Sequence, residues 1–594
     1  MNSNLDKKGY CNNFVGYLNT LQRISGSNEN ALAEFQSLNK HFNKIQVKHP
    51  LSSIVIEELK SDNKRHVVIT GHAGDGKTTI ALEIFKELKR LPYEDVLIEA
   101  LNEQESIDNI TIIKDLSERN KIDDDDLIKS MKGNERKYLL ISNTGTLMDL
   151  LCDSADSFDK SRLDIEKKVL DSIDTKHGEG FINLGDVEFR VFNLARLDNL
   201  GLARQIFENM LNEEHWNICK HTSCSMTCPI KANVDLINSN QQLILDRLFL
   251  IYRRMFEYGI RLTIRQFTEH FAYIITSGLE ERDIEYYDLQ GRKWNNLKFL
   301  FFNRFFGDDG ISFDSKANKI KVIEEIKKQE FGLRPHTKWE HKLWLSEDDI
   351  QFENEIISDV FKILRREGAK AGNKSIIARK QIRRIIYFMC VNDVIGIDDY
   401  VSRFLNSPTI LNWIKWQNEN KISPSEKSYF AQKIFHVMQE HFTGLRLPET
   451  ISHLDQRLYV TLNRSNRNIR QSAQIVLAQV NWNDSFNITL EKQDSIINQP
   501  RTDLWLKGKG NISDLDLELR LPFLDFVIIR HFGEIGELLH SSYLERIEKF
   551  KAKFQITAKN NDCEGITVIR LKSDNTFKQQ ILTLNEKGLE VSHG

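Results

Sequence analysis

No stretch of the 594 residues is apolar for long enough to cross a bilayer. The longest runs, at 297–302 and 522–529, fall far short of the roughly 20 residues a spanning helix needs. An excess of charge of one sign is also missing. Lys and Arg number 82 against 85 Asp and Glu, a formal net charge of −3, so any hold on nucleic acid has to come from a local basic patch and not from the overall field. Cysteine is sparse and odd in number, seven in all, which does not read as a disulfide framework. Residues 1–10 are polar and lack the apolar core of a secretory signal, so the expected location is the cytoplasm, with no membrane contact. Internal repeats and low-complexity tracts are absent as well.

What is present is the balance of a globular protein, 40% hydrophobic and 28% charged residues, over a length that predicts two to four domains. Residues 1–60 read as a helical lead-in, with Leu32, Phe35, Leu38, Phe42 and Ile45 at helical spacing after the break Ser25-Gly26-Ser27. Residues 61–279 alternate β-rich with helical runs. Strand candidates are 66–70, 96–101, 110–114, 138–142 and 188–193, and strands alternating with helices predict an α/β domain built on a parallel sheet. The expected remainder is a helix-rich domain over 280–510 and a C-terminal α+β segment over 511–594. In that last segment a helical run at 523–554 precedes a hairpin formed by 566–571 and 579–584.

The sharpest motif follows the first strand. His66-Val67-Val68-Ile69-Thr70 leads into Gly71-His72-Ala73-Gly74-Asp75-Gly76-Lys77-Thr78-Thr79 and then a helical pattern from Ile80. Glycines at 71, 74 and 76 allow a nest of backbone N–H donors, the helix N-terminus adds positive potential, Lys77 would reach the β- and γ-phosphates, and the Thr78 hydroxyl would ligate Mg²⁺. The expectation is a phosphate-binding loop for Mg-ATP, with Gly71, Gly74, Asp75, Gly76, Lys77, Thr78 and Thr79 as binding residues. The competing reading, a plain glycine-rich turn, is hard to reconcile with the strand-to-helix junction.

A triphosphatase also needs an acid at the end of a second strand to complete the Mg²⁺ shell and polarise water. Asp115 closes the run Ile110-Thr111-Ile112-Ile113-Lys114 and is assigned to the metal, with Glu118 as general base or, equally, as a first-turn residue favoured by the helix dipole. Val96-Leu97-Ile98-Glu99, with Asn102 beyond, is the rival strand, set aside because it follows the loop helix too soon. Asn143 ends the strand 138–142 and resembles the residue that senses the γ-phosphate or lytic water in AAA-type ATPases. Its alternative is a turn asparagine two residues before Gly145. Arg265 occupies the place of a lid arginine of such enzymes, and Arg196 or Arg204 is a candidate finger acting across a subunit boundary of a homo-oligomer. The acidic run 123–126 reads as a solvated turn or helix start.

Two further clusters stand out. Cys219, Cys224 and Cys228, with His221 or His215, supply enough ligands for structural Zn²⁺, against the alternative of partly buried reduced thiols. Residues 362–384 carry Lys362, Arg365, Arg366, Lys370, Lys374, Arg379, Lys380, Arg383 and Arg384 against Glu367 alone. They read either as a helix laid along DNA phosphates or as a solvated face. No nuclease constellation accompanies them, so strand cleavage would fall to a partner.

The phosphate loop, Lys114-Asp115-Leu116-Ser117-Glu118, Ile141-Ser142-Asn143-Thr144-Gly145, Phe192-Asn193-Leu194-Ala195-Arg196, the cysteine cluster and Leu262-Thr263-Ile264-Arg265 together resemble the ATPases of bacterial anti-phage loci. The closest resemblance is to the F component of DNA phosphorothioation-dependent restriction, the DptF family, mainly over residues 60–280. The resemblance implies a defence ATPase that couples ATP binding and hydrolysis to DNA engagement and to assembly with other defence proteins, a separate nuclease or effector among them. The alternative is a STAND-type switch that oligomerises on binding nucleotide with little turnover, or a scaffold whose site is idle.

Overall fold

The computed structural model describes residues 12–23, 39–95, 97, 101–116, 121–133, 135–175, 177–221, 228–280, 283–284, 297–308, 316–334, 339–340, 343, 350, 352–391, 396–444, 456–462, 473–493, 501–532, 541–558, 565–571, 577–586 and 588–593. The chain divides into two compact units, one within Met1–Tyr400 and one from Val401 onward.

The first unit is organised by a six-stranded sheet. Its strands are β1 (His66–Thr70), β2 (Gln104–Ile107), β3 (Ile110–Ile113), β4 (Lys137–Ser142), β5 (Glu179–Asn183) and β6 (Glu188–Asn193), in the spatial order β2-β3-β4-β1-β6-β5. The four inner strands run parallel, and every residue of β1, β3 and β4 is buried. Both faces of these strands are covered, which explains their unbroken apolar character. Val67 and Ile69 point into a core shared with Leu51, Val55, Ile80 and Ile84. Val68 points to the opposite core, with Ile128, Leu147, Leu151, Ile165 and Val169.

The sheet is mixed, where the sequence pattern predicts a parallel one. β2 and β5 are antiparallel edges, each in a hairpin with its successor in sequence. They carry little hydrophobic signal because edge strands bury only part of their side chains: β2 reads Gln-Glu-Ser-Ile and only its Ile107 is buried. Asp108, at a φ of 49°, turns the two-residue loop into β3. Of the rival strand at 96–102, Leu97, Leu101 and Asn102 are described, and none lies in a strand.

Helices follow the sheet: Leu200–Met210, Pro229–Ser239, Gln241–Glu257, Ile264–Thr276, Lys321–Lys328, Glu355–Gly368 and Asn373–Met389. The lead-in supplies Asn13–Arg23, Lys40–Ile45 and Pro50–Lys60. Of its predicted apolar series, Leu32, Phe35 and Leu38 lie outside the described residues.

The second unit corrects the helix-rich reading of its early part. After the helices Ile410–Glu419 and Pro424–Thr443 come antiparallel strands: β7 (Arg457–Thr461), β8 (Ala473–Asn481), β9 (Phe486–Gln493), β10 (Arg501–Gly508) and β11 (Asp516–Glu518). The helices Leu521–His531 and Ser541–Thr557 precede β12 (Gly565–Leu571), β13 (Phe577–Asn585) and β14 (Gly588–His593). The predicted terminal hairpin is β12–β13; β14 extends it, in a five-stranded sheet ordered β14-β13-β12-β8-β7 beside a three-stranded β11-β10-β9. β8 hid from hydropathy because its inward residues are Gln474, Val476 and Ala478 while Ile475 and Leu477 face outward. Among the described residues no helix is long and apolar enough to cross a membrane.

Candidate functional site

Connections leaving the carboxyl ends of neighbouring strands β1 and β4 lead to opposite sides of the sheet, β1 toward β2–β3 and β4 toward β5–β6. Such a crossing leaves a crevice at the strand ends, the usual ligand position in an open α/β sheet. The loop 71–76 and the helix Lys77–Leu88 sit there. Gly74 takes a φ of 85°, and a Cβ on it would lie 2.9 Å from the Cβ of Arg265. Gly76, at a φ of 94°, caps the helix; its carbonyl accepts the Ile80 N–H at 3.0 Å. Ile80 thus makes the first intrahelical bond, and the preceding N–H groups of Lys77, Thr78 and Thr79 have no intrahelical acceptor.

These residues line one cavity together with His72, Ala73, Gly74 and Asp75. Lys77 Nζ donates to the carbonyls of Gly71 and His72 at 2.7 and 3.1 Å and to Asn143 Oδ1 at 2.8 Å. The last bond joins the ends of β1 and β4. Asn143 is exposed, caps the helix Thr144–Asp153 by position alone with no side-chain cap bond, and lines the same cavity. Asp115 lies two residues past β3, half-buried, and also faces the cavity. With neighbouring strands about 4.8 Å apart, one intervening strand puts the end of β3 about 10 Å from that of β1.

Arg265 enters from the first turn of Ile264–Thr276, a helix closed by a capping box between Thr263 and Gln266. Its N–H donates to Gly74 O at 3.1 Å and its side chain lines the cavity. Lys77, Thr78, Asp115, Asn143 and Arg265 are therefore brought together. Gly71 stands behind them as a carbonyl acceptor. Glu118 lies outside the described residues.

Sequence reasoning missed the apolar part of the wall. Phe42, Ile45, Val47, Leu202, Ile206 and Ile264 give the cavity an apolar part of its lining, as ligand pockets commonly have. The lead-in part of that wall is held by Glu83 of the helix Lys77–Leu88. Its buried carboxyl accepts from Gln46 Nε2 and His49 N, both at 3.1 Å, from Ser52 Oγ, and from Tyr93 OH at 3.4 Å. Burial pushes this carboxyl up, and the bonds from Ser52, His49, Gln46 and Tyr93 pull against it. Burial also lowers His49 to about 4, so its neutral ring accepts the Leu51 N–H through Nδ1.

Other expected sites stand apart. Arg196 pairs with Asp174, and Arg204 pairs with Glu208 and Asp246 at 3.0 and 2.6 Å; neither lines the cavity. The acidic run falls in the helix Lys121–Lys132, with Asp125 and Asp126 exposed. Cys219 and Cys228 are buried, and Cys219 Sγ accepts from Asn12 Nδ2 at 3.3 Å. Cys224 and the His221 side chain lie outside the described residues, among which no group of three metal ligands occurs. His215 stacks on Phe14, ring centroids 4.3 Å apart.

The basic segment is two helices, broken at 369–372, and much of its charge is spent internally. Arg384 grips Asp308 at 2.6 and 3.0 Å, Lys380 reaches the same carboxylate at 2.9 Å, and Arg383 pairs with Glu340 at 2.6 Å. Lys362, Arg366, Lys370 and Lys374 are exposed. The exposed cationic set is therefore smaller than the sequence count.

Compared with protein-family models, curated proteins and solved structures, the chain finds no match.

Proposed function

We propose that this chain binds a Mg-nucleoside triphosphate, ATP, in the crevice at the ends of β1 and β4 and hydrolyses it. One observation carries the reading. An ammonium (Lys77), amides of the helix start, a hydroxyl (Thr78), a carboxylate (Asp115), an amide (Asn143) and a guanidinium (Arg265) line a single cavity together with apolar side chains. The amides of Lys77, Thr78 and Thr79 and the Lys77 ammonium receive phosphate oxygens. Thr78 Oγ1 and the Asp115 carboxylate are hard oxygen donors that suit Mg²⁺, which when bound neutralises charge developing on the transferred phosphoryl group. Asn143 orients an oxygen of water or of the terminal phosphate, and Arg265 stabilises negative charge from the opposite side.

The resemblance to defence ATPases of the DptF type sets the biological proposal: a subunit that spends ATP on engaging DNA and assembling partner proteins, as a homo-oligomer. The exposed lysines and Arg366 of the two basic helices are the DNA-facing candidates. The test is ATP binding and turnover by the full chain with and without DNA. Lys77→Ala is expected to lower turnover at least about a hundredfold, in line with the loss of a group that binds transition-state charge. DNA is expected to stimulate the wild type. No heat of association with Mg-ATP would end the proposal; turnover indifferent to DNA would end its second half.

A further inference from the structure

A carboxylate inside a phosphate cradle is electrostatically adverse, yet Asp75 sits in the middle of this one. It is 1% exposed. Its Oδ2 accepts the His72 N–H at 2.8 Å, closing a turn that its own N–H also ties to His72 O at 3.2 Å. Its Oδ1 accepts Arg261 Nη1 at 2.8 Å. The same guanidinium donates through Nη2 to Leu194 O at 2.5 Å and through Nε to Leu197 O at 3.2 Å. Those carbonyls flank the short turn Leu194–Arg196 that follows β6. Arg261 is thus fixed by acceptors from two separate elements.

Arg261 is also four residues upstream of Arg265. The segment between them is held by Asn199 Nδ2 on Leu262 O at 3.3 Å and by the Arg265 N–H on Gly74 O at 3.1 Å. Resting on the nucleotide reading above, we infer that Arg261 is a positioning residue for triphosphate binding. It neutralises the loop's own acid and, through that bond, holds the start of Ile264–Thr276 against the loop so that Arg265 stays over the cavity. An Asp75 carboxylate without its guanidinium is a buried, uncompensated charge, and breaking such a pair from one side is far more damaging than removing both partners.

The pair makes a rescue experiment decisive. Affinity for Mg-ATP and for adenosine is measured by calorimetry on the full chain as wild type, Arg261→Gln, Asp75→Asn, the double variant and Arg261→Lys. Arg261→Gln is expected to weaken ATP about a hundredfold, with adenosine far less affected. Asp75→Asn, which removes the charge but keeps one oxygen that can accept from Arg261, is expected to weaken ATP less than Arg261→Gln, and the double variant to return within about tenfold of wild type. Arg261→Lys, which keeps the charge but loses the three-way fork, covers the case in which Arg261→Gln does not fold and is expected to lose less ATP affinity than Arg261→Gln. A double variant as weak as Arg261→Gln, equal losses for ATP and adenosine, or a hundredfold loss in Arg261→Lys would each overturn the inference. A wild type that binds no ATP overturns the nucleotide reading itself; a wild type that binds while Arg261→Gln binds equally overturns only the role of Arg261.

Discussion

Gly74 and Gly76 look alike in the sequence but are constrained by different physics. At Gly76 a Cβ would meet nothing within 4 Å, so the requirement is the φ of 94° alone. At Gly74 a left-handed φ of 85° coincides with a wall, since a Cβ would press on Arg265 Cβ at 2.9 Å and Thr263 Oγ1 at 3.1 Å. Ala at 76 therefore carries only backbone strain of about 1–3 kcal/mol. Ala at 74 adds displacement of the helix that bears Arg265. Gly74→Ala is expected to lose both nucleotide affinity and melting temperature beyond Gly76→Ala, which a binding titration set beside thermal unfolding will check. The glycine motif was legible because spacing encodes φ. The reason for each glycine was not, because Thr263 and Arg265 reach the loop only through the fold.

Elements were legible in proportion to how completely their burial matches their apolar residues. β1, β3 and β4 are buried on both faces and stand out as runs; β2, β5 and β8 place polar residues inside or apolar residues outside and do not. For the same reason Asp115, two residues past the wholly buried β3, was legible as a residue of the cavity, whereas the lead-in wall of the cavity was missed. The segment 46–52 is positioned by Glu83, in the second turn of a helix whose sequence says only that the residue is charged. Four donors converge on that carboxylate, so removing it orphans them in a buried site. Glu83→Ala is expected to cost about 3 kcal/mol of stability and to raise the KM for ATP through the displaced wall; measured with saturating ATP, kcat should change much less, because none of the residues Glu83 bonds is among the groups proposed to hold the phosphates. An unchanged KM would dissociate the lead-in from the site.

Across the first unit as a whole, buried ionisable groups set opposing pH trends. Burial holds the imidazoles of His49 and His66 at about 4 and that of His270 at about 3. Their folded values lie below the ordinary 6.5, so the stability they permit is present above pH 6.5 and is lost as pH falls toward 4. For Asp308, burial acts upward, but the bonds and charges of Arg384 and Lys380 outweigh it and hold the carboxyl at about 2, below its ordinary 3.8; its contribution is lost only as pH falls through that range. Glu269 runs the other way. It lies one turn past Arg265, is 6% exposed, and its Oε1 has no hydrogen-bond partner. Burial raises it from 4.5 to about 7, with Arg265 pulling weakly against the shift. A carboxyl with a raised folded value favours the fold below pH 4.5 and opposes it increasingly as pH climbs to 7, a swing of about 3 kcal/mol. Glu269→Gln keeps the shape and removes the ionisation. Its melting temperature should coincide with wild type below pH 4.5, separate upward through pH 5–7, and stay higher by a constant margin beyond. Curves that remain parallel across the whole range would mean that Glu269 titrates alike in the folded and unfolded chain, its burial offset by Arg265 of the same helix, a residue that lines the cavity.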